Sequence, residues 1–165
     1  MTERKVWFRR VAFTDIDALI RLQAAYYRED GYVHHEEKAR GAWQTLLSDV
    51  NLGSVWVADS AAGIVGYVVV TLGYSLEYLG KDAFIDEIYL TPSVRGQGWG
   101  REALSLAEAA CVQAGAETLH LEVERNKIGV RELYGRSGFV ASERVLMTKP
   151  LKRAAQEPPP ASTKG

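Results

Sequence analysis

Asp86-Glu87-Ile88-Tyr89-Leu90-Thr91-Pro92-Ser93-Val94-Arg95-Gly96-Gln97-Gly98-Trp99-Gly100 is the stretch on which the fold turns. It reads as a strand that stops at Thr91-Pro92, a loop, and a helix that starts at the glycines. Glycine lets a backbone approach a ligand closely and expose consecutive N–H groups. The first turn of the helix adds unpaired donors and the positive end of the helix dipole. Arg95 adds a fixed charge with several donors. Together these parts suit a diphosphate.

Four readings compete for the loop. A P-loop needs Lys-Ser/Thr after its last glycine, and Arg101-Glu102 follows here. A dinucleotide fingerprint spaces its glycines G-x-G-x-x-G, whereas Gly96, Gly98 and Gly100 alternate. Arg95, Gly98 and Gly100 fit a third pattern, Arg-x-x-Gly-x-Gly. The fourth reading is a plain glycine-rich turn ahead of a helix.

Working outward, Ala83 to Leu90 is the strand that feeds the loop, and Gly98 to Ala114 is a long helix pattern closed by Gly115. Alternation predicts a strand over Thr118 to Val123, a shorter helix follows over 128–137, and Val140 to Met147 is β-compatible. Towards the N-terminus, Val6 to Val11 reads as a strand. Residues 15–28 read as an amphipathic helix capped by Thr14, and Glu36 to Leu47 as a second helix. Ser54 to Ala58 and Ile64 to Leu72 form a hairpin pattern, and 73–82 a longer link. The order is strand, two helices, three strands, helix, strand, helix, strand, which makes a mixed sheet with helices on it.

The composition bounds what such a fold does. With 165 residues the chain fits one domain, and 47% hydrophobic and 25% charged residues are ordinary globular proportions. A net charge of −1 gives no global electrostatic case for nucleic acid or an anionic membrane. Cys111 is the one cysteine, so neither an intrachain disulfide nor a cysteine-based metal site is available, and its apolar neighbours predict a packed side chain. No apolar leader follows Met1, and no stretch is long enough to span a bilayer, so a cytoplasmic setting is expected. One domain over 1–151 and a disordered, proline-rich tail over 152–165 are expected.

Three blocks point to one family. The Arg95–Gly100 loop, the strand Ile88-Tyr89-Leu90-Thr91-Pro92 before it, and Leu121-Glu122-Val123 followed by Leu133-Tyr134-Gly135-Arg136-Ser137-Gly138-Phe139 keep a common order and spacing. Together they resemble the GCN5-related N-acetyltransferase (GNAT) family. The resemblance implies an α/β (α+β) fold with a mixed, mostly antiparallel central sheet of six to seven strands and about four helices. It implies acetyl-CoA as cosubstrate, no metal, and direct attack of a primary amine on the thioester. A homodimer is expected, since dimers are common in such enzymes.

The resemblance also implies residue roles. The backbones of Ile88, Tyr89 and Leu90 would hold the pantetheine arm, with Ile88 and Leu90 making its bonds. Arg95, Gly96, Gln97, Gly98, Trp99, Gly100 and Arg101 would hold the diphosphate. Trp99 stands where the family usually has an aliphatic residue and reads as helix packing. Tyr134 matches the tyrosine that donates a proton to the departing thiolate, and a phenol pKa near 10 keeps it protonated. An alkyl ammonium with a pKa of about 10.4 must also lose a proton. Glu87 is the leading base, with Asp86 on the opposite strand face and Glu77, His34 and His35 as further candidates. The family's asparagine stands seven residues before the tyrosine. Here Asn126 is eight before Tyr134 and Lys127 holds that place, so Asn126 is a cofactor contact or a helix cap.

The acceptor is open at this level. Tyr26, Tyr27, Tyr32, Tyr74, Tyr78, Glu29, Asp30, Glu36, Glu37 and Glu77 lie on the segments that commonly flank the acceptor, and aromatics with carboxylates suit a cationic amine. A small amine, a lysine side chain or an N-terminal amine fits. A CoA-binding regulatory or scaffold module without catalysis is the alternative.

Overall fold

A computed structural model describes residues 6–151; the expected tail over 152–165 lies outside them. Five strands form one sheet in sequence order: β1 (Trp7–Arg10), β2 (Gly53–Ser60), β3 (Gly63–Ser75), β4 (Gly80–Leu90) and β5 (Ala116–Leu121). The first three pairings are antiparallel and β4–β5 is parallel. Helices α1 (Ile16–Asp30) and α2 (Glu36–Ser48) follow β1, α3 (Trp99–Gln113) crosses from β4 to β5, and α4 (Ile128–Arg136) follows β5. A parallel neighbour requires such a crossover, whereas the antiparallel pairs need only turns.

The sheet is buried on both faces. Val55, Val57, Tyr67, Val69 and Tyr89 pack beneath α1 and α2 with Ile16, Leu19, Ile20 and Trp43. Val68, Val70, Ala83 and Ile85 pack beneath α3 and α4 with Leu104, Ala107, Cys111 and Tyr134. Strand alternation sends Val55, Val57, Tyr67 and Val69 to one core and Val68 and Val70 to the other. Each such valine, fully buried, contributes roughly 1.5–3 kcal/mol of transfer free energy. Cys111 is buried in the second core, as its neighbours predict.

The sheet has fewer strands than expected. Val140 to Met147 pairs with nothing in the sheet, and Val140 and Met147 are 91% and 90% exposed. Alternation records β-compatibility, but a strand exists only where an edge is bonded to it. The link over 73–82 is also revised: β3 runs to Ser75, β4 starts at Gly80, and the two pair down to Ser75↔Gly80. Thr14 is not a cap. It lies in a 3-10 turn, Phe13–Asp15, where the Asp15 carboxylate accepts from the Ala12 N–H and binds Arg9. Gly115 (φ 76) takes the left-handed conformation just past α3, as expected.

Candidate active site

An irregularity in β4 creates the site. Val70 pairs with Ile85 and Val69 with Glu87, leaving Asp86 as an extra residue in a β-bulge. The bulge has two consequences. It reverses the alternation, so that Ala83 and Ile85 face α3 while Glu87 and Tyr89 face α1. It also coincides with the end of β4–β5 pairing, whose last register is Ile85↔Leu121. Beyond it β4 continues to Leu90 with no strand on that side. Asp86 is the extra residue of the bulge and is exposed.

The free edge has a definite polarity. Thr91 N donates to Val65 O at 2.8 Å, so in this register Tyr89 and Glu87 exchange main-chain bonds with β3. The main-chain groups of Ile88 and Leu90 therefore point into the opening beside β5. The edge offers the donors and acceptors of half a β-ladder to an extended ligand.

The loop lies at the end of that edge. Gly96 (φ 73) and Gly98 (φ 91) are left-handed, and a Cβ on either would meet nothing within 4 Å. They are needed for the turn, and no protein atom covers them. Among the described residues the N–H groups of Gly96, Gln97, Gly98, Trp99 and Gly100 find no acceptor. The Arg101 N–H is already bonded to Gly98 O. Five consecutive unpaired amides at the start of a 15-residue helix form an anion-binding cradle. Gly100 has a second role, since a Cβ there would lie 3.3 Å from Leu133 Cδ2, where α3 packs on α4. Trp99 is partly buried, and its indole N–H is buried without an acceptor among the described residues. Arg95 is engaged within the protein: Nε donates to Leu90 O at 2.8 Å and Nη2 to Glu29 Oε2 at 2.7 Å.

Glu87 and Tyr134 lie on opposite faces of the sheet, on either side of the opening. Glu87 is held by three donors from two elements, Gln23 and Tyr27 on α1 and Tyr67 on β3. Gln23 Nε2 donates to both oxygens (3.0 and 3.2 Å), Tyr27 OH to Oε1 (2.9 Å) and Tyr67 OH to Oε2 (2.7 Å). Burial raises its pKa above the ordinary glutamate range, and the three hydrogen bonds oppose that shift. Gln23 is oriented in turn by Trp43 Nε1, which donates to its Oε1 at 3.1 Å. Tyr134, 8% exposed, packs edge-on against Phe139 and has no hydrogen bond to its hydroxyl among the described residues. Desolvation raises its pKa, so it stays protonated. It lines a cavity of about 1320 Å³ between α3, β5 and α4, together with Arg101, Ser105 and Arg131.

The other base candidates separate from this centre. Glu77 is exposed at the β3–β4 turn, the far end of β4 from the loop, where it pairs with Arg144. His35 is exposed at the start of α2. His34 lies closer, with Nε2 3.4 Å from Gln23 Oε1 and its ring edge-on to Tyr27; burial lowers its pKa. Asn126 is exposed and makes no side-chain cap, since α4 starts after Lys127. Lys127 instead binds both oxygens of Asp30 at 2.7 and 2.8 Å. The sequence reading missed Gln23, Tyr67 and Lys127 as site residues. Gln23 sits at helical spacing from Tyr27 and Asp30, but nothing local marks its partner 64 residues away.

Among the described residues no group of three or more His, Cys, Asp or Glu is placed to hold a metal, and no helix is long and apolar enough to cross a membrane. A family model described as the acetyltransferase (GNAT) family matches residues 16–139. The chain is 27% identical over 150 residues to a mycothiol acetyltransferase from Jonesia denitrificans, a match covering 88% of this chain and 46% of that protein, so it spans about half the length of this curated relative. The solved structure of an integron cassette protein from the mobile metagenome of Cole Harbour Salt Marsh is 32% identical, with a TM-score of 0.80, covering 88% of this chain and 91% of that one. An aminoglycoside N-acetyltransferase, AAC(6')-Iy, in complex with CoA shares the fold at 14% identity and a TM-score of 0.76, over 88% of this chain and 94% of that one.

Proposed function

The chain belongs to the acetyltransferase (GNAT) family, and from that premise we propose that it moves an acetyl group from acetyl-CoA to a primary amine by direct attack. One observation carries this reading. The bulged strand leaves a main-chain edge at Ile88 and Leu90 with no strand beside it, its Leu90 carbonyl held by Arg95, that leads to the five free amides of Gly96–Gly100. An extended amide-bearing arm with a diphosphate at one end fits both parts at once. AAC(6')-Iy holds CoA on the same fold, which supports the cofactor class.

When bound, acetyl-CoA supplies an activated acetyl carbonyl as a thioester. Ile88 and Leu90 orient the arm by strand-like pairing, and the amides of Gly96–Gly100 take the diphosphate, with Arg101 beside them. Glu87 is the base, and it acts through Tyr27. Both Glu87 oxygens already accept two bonds each. Tyr27 accepts the ammonium proton on its oxygen as its own proton passes to Glu87 Oε1. The freed amine attacks the carbonyl carbon from the α1 face. On the other face Tyr134 gives its proton to the sulfur as the C–S bond breaks; the nitrogen of the new amide sheds its second proton to solvent, Tyr134 regains one from solvent, and Glu87 releases the first proton to solvent to complete the cycle. Asn126 has no part in this scheme, because Lys127 takes the family position and binds Asp30.

The acceptor class is a small amine, a lysine side chain or an N-terminal amine. The enzyme works as one domain over residues 1–151, in the cytoplasm and as a homodimer. Thermal stabilisation by acetyl-CoA followed by an amine panel tests the reading. Tyr134→Phe is expected to bind CoA as the parent does and to lose roughly 10²-fold in kcat. Tight CoA binding with no turnover on any amine would instead make the chain a CoA-binding module.

A further inference from the structure

The Glu29–Arg95 contact conflicts with the use the proposed cofactor makes of the same atoms. Arg95 spans the end of the free edge: Nε occupies the Leu90 carbonyl, Nη2 binds Glu29 Oε2, and Cζ lies 5.4 Å from the Tyr89 ring centroid. Glu29 Oε1 accepts from Tyr89 OH at 2.7 Å. An arm pairing along β4 would share the Leu90 carbonyl with Arg95, which takes one of its two acceptor positions. A diphosphate on the neighbouring amides offers Arg95 more charge, with bidentate geometry, than the carboxylate does. The pair is partly exposed, with side chains 46% and 39% accessible, so its mutual attraction is weak enough to be exchanged. The adjacent Asp30–Lys127 pair is more sheltered, with Asp30 only 13% accessible, and stays as the fixed tie of the α1 end.

We infer that Glu29 couples the two substrates: it is the counter-ion of Arg95, and a bound diphosphate draws Arg95 away and leaves a carboxylate for a cationic amine. The inference rests on the acetyl-CoA reading of the loop. It makes Glu29 an acceptor-binding residue that is available only after the cofactor has bound.

The test uses CoA as the probe. Glu29→Gln keeps the shape and removes the competing charge, so calorimetry should show CoA binding about 1.5- to 5-fold tighter than to the parent, the range an exposed ion pair supports. Arg95→Ala should weaken CoA binding, and adding Glu29→Gln to it should change nothing further. A readout independent of turnover is the Glu29 carboxyl resonance in protein labelled with ¹³C-glutamate. Tyr89, Arg95 and, at longer range, Lys127 hold its midpoint below the ordinary range, and CoA should raise it. For any amine the parent acetylates, Glu29→Gln should raise the amine KM and leave kcat in place. Unchanged or weaker CoA binding by Glu29→Gln, or a midpoint that CoA does not move, overturns the inference and makes the contact a fixed tie. A parent that binds no CoA overturns the cofactor reading itself.

Discussion

Gln23, Tyr27 and Tyr67 surround Glu87 with donors, and this cluster is where single atoms govern chemistry. A largely desolvated, partly buried carboxylate is tolerated because each oxygen is satisfied twice. Removing one donor, as in Tyr67→Phe, should cost about 1.5–3 kcal/mol in denaturant unfolding, the range for a hydrogen bond to a charged group. Glu87→Gln should lower kcat by about 10²- to 10⁴-fold while CoA binding persists. The sign of the pH effect is set by burial. Glu87 works as a base when ionised, and its pKa is raised. The parent rate should therefore fall as pH drops through a midpoint above the ordinary glutamate range, and Glu87→Gln should lose that limb of the profile.

At the level of elements, the bulge in β4 and the turn before α3 make the cleft together. The bulge decides which side chains of β4 face α1, and the turn aims the helix amides at the end of the strand. Gly98 (φ 91) tests the turn. Alanine there meets no atom within 4 Å, so its cost to the unliganded fold is backbone strain of about 1–2 kcal/mol. The same methyl group would stand where the diphosphate approaches. Gly98→Ala should therefore lose CoA affinity by a larger factor than its unfolding free energy alone accounts for, which calorimetry and denaturant melts measure side by side.

Over the whole molecule, two cores on a shared sheet leave the C-terminal arm outside. Val140–Leu151 makes no strand pairing, and its Arg144–Glu77 ion pair is exposed on both partners. Within the described residues, limited trypsin digestion should cut first at Arg144, since Lys149 precedes Pro150 and resists the protease, read by mass spectrometry with the 6–139 portion intact. Acid stability should reflect Asp15 and Glu29, whose pKa values are lowered, chiefly by Arg9 for the first and by Tyr89 and Arg95 for the second. Their stabilisation is present above the ordinary carboxylate range and is lost as pH falls through the lowered values. Glu87 acts in the opposite sense. The native state holds its proton more tightly than the unfolded chain, so its contribution declines as pH rises through the ordinary glutamate range to its raised midpoint. Thermal melts across acid pH check both signs.

The glycine spacing, the hydrophobic periods and the tyrosine block settled the order of elements as far as α4, the mixed sheet and the family, because those signals depend on neighbours close in sequence. Helices α1 to α4 and the pairing of β2 with β3 were legible for the same reason. Whether Val140–Met147 joins the sheet, which face Glu87 takes, what holds it, and where Arg95 and Lys127 point were decided only by the tertiary structure. Each depends on partners tens of residues away: an available sheet edge, an extra residue in one strand opposite another, or a carboxylate at the end of α1. No local pattern encodes which of these distant groups will meet.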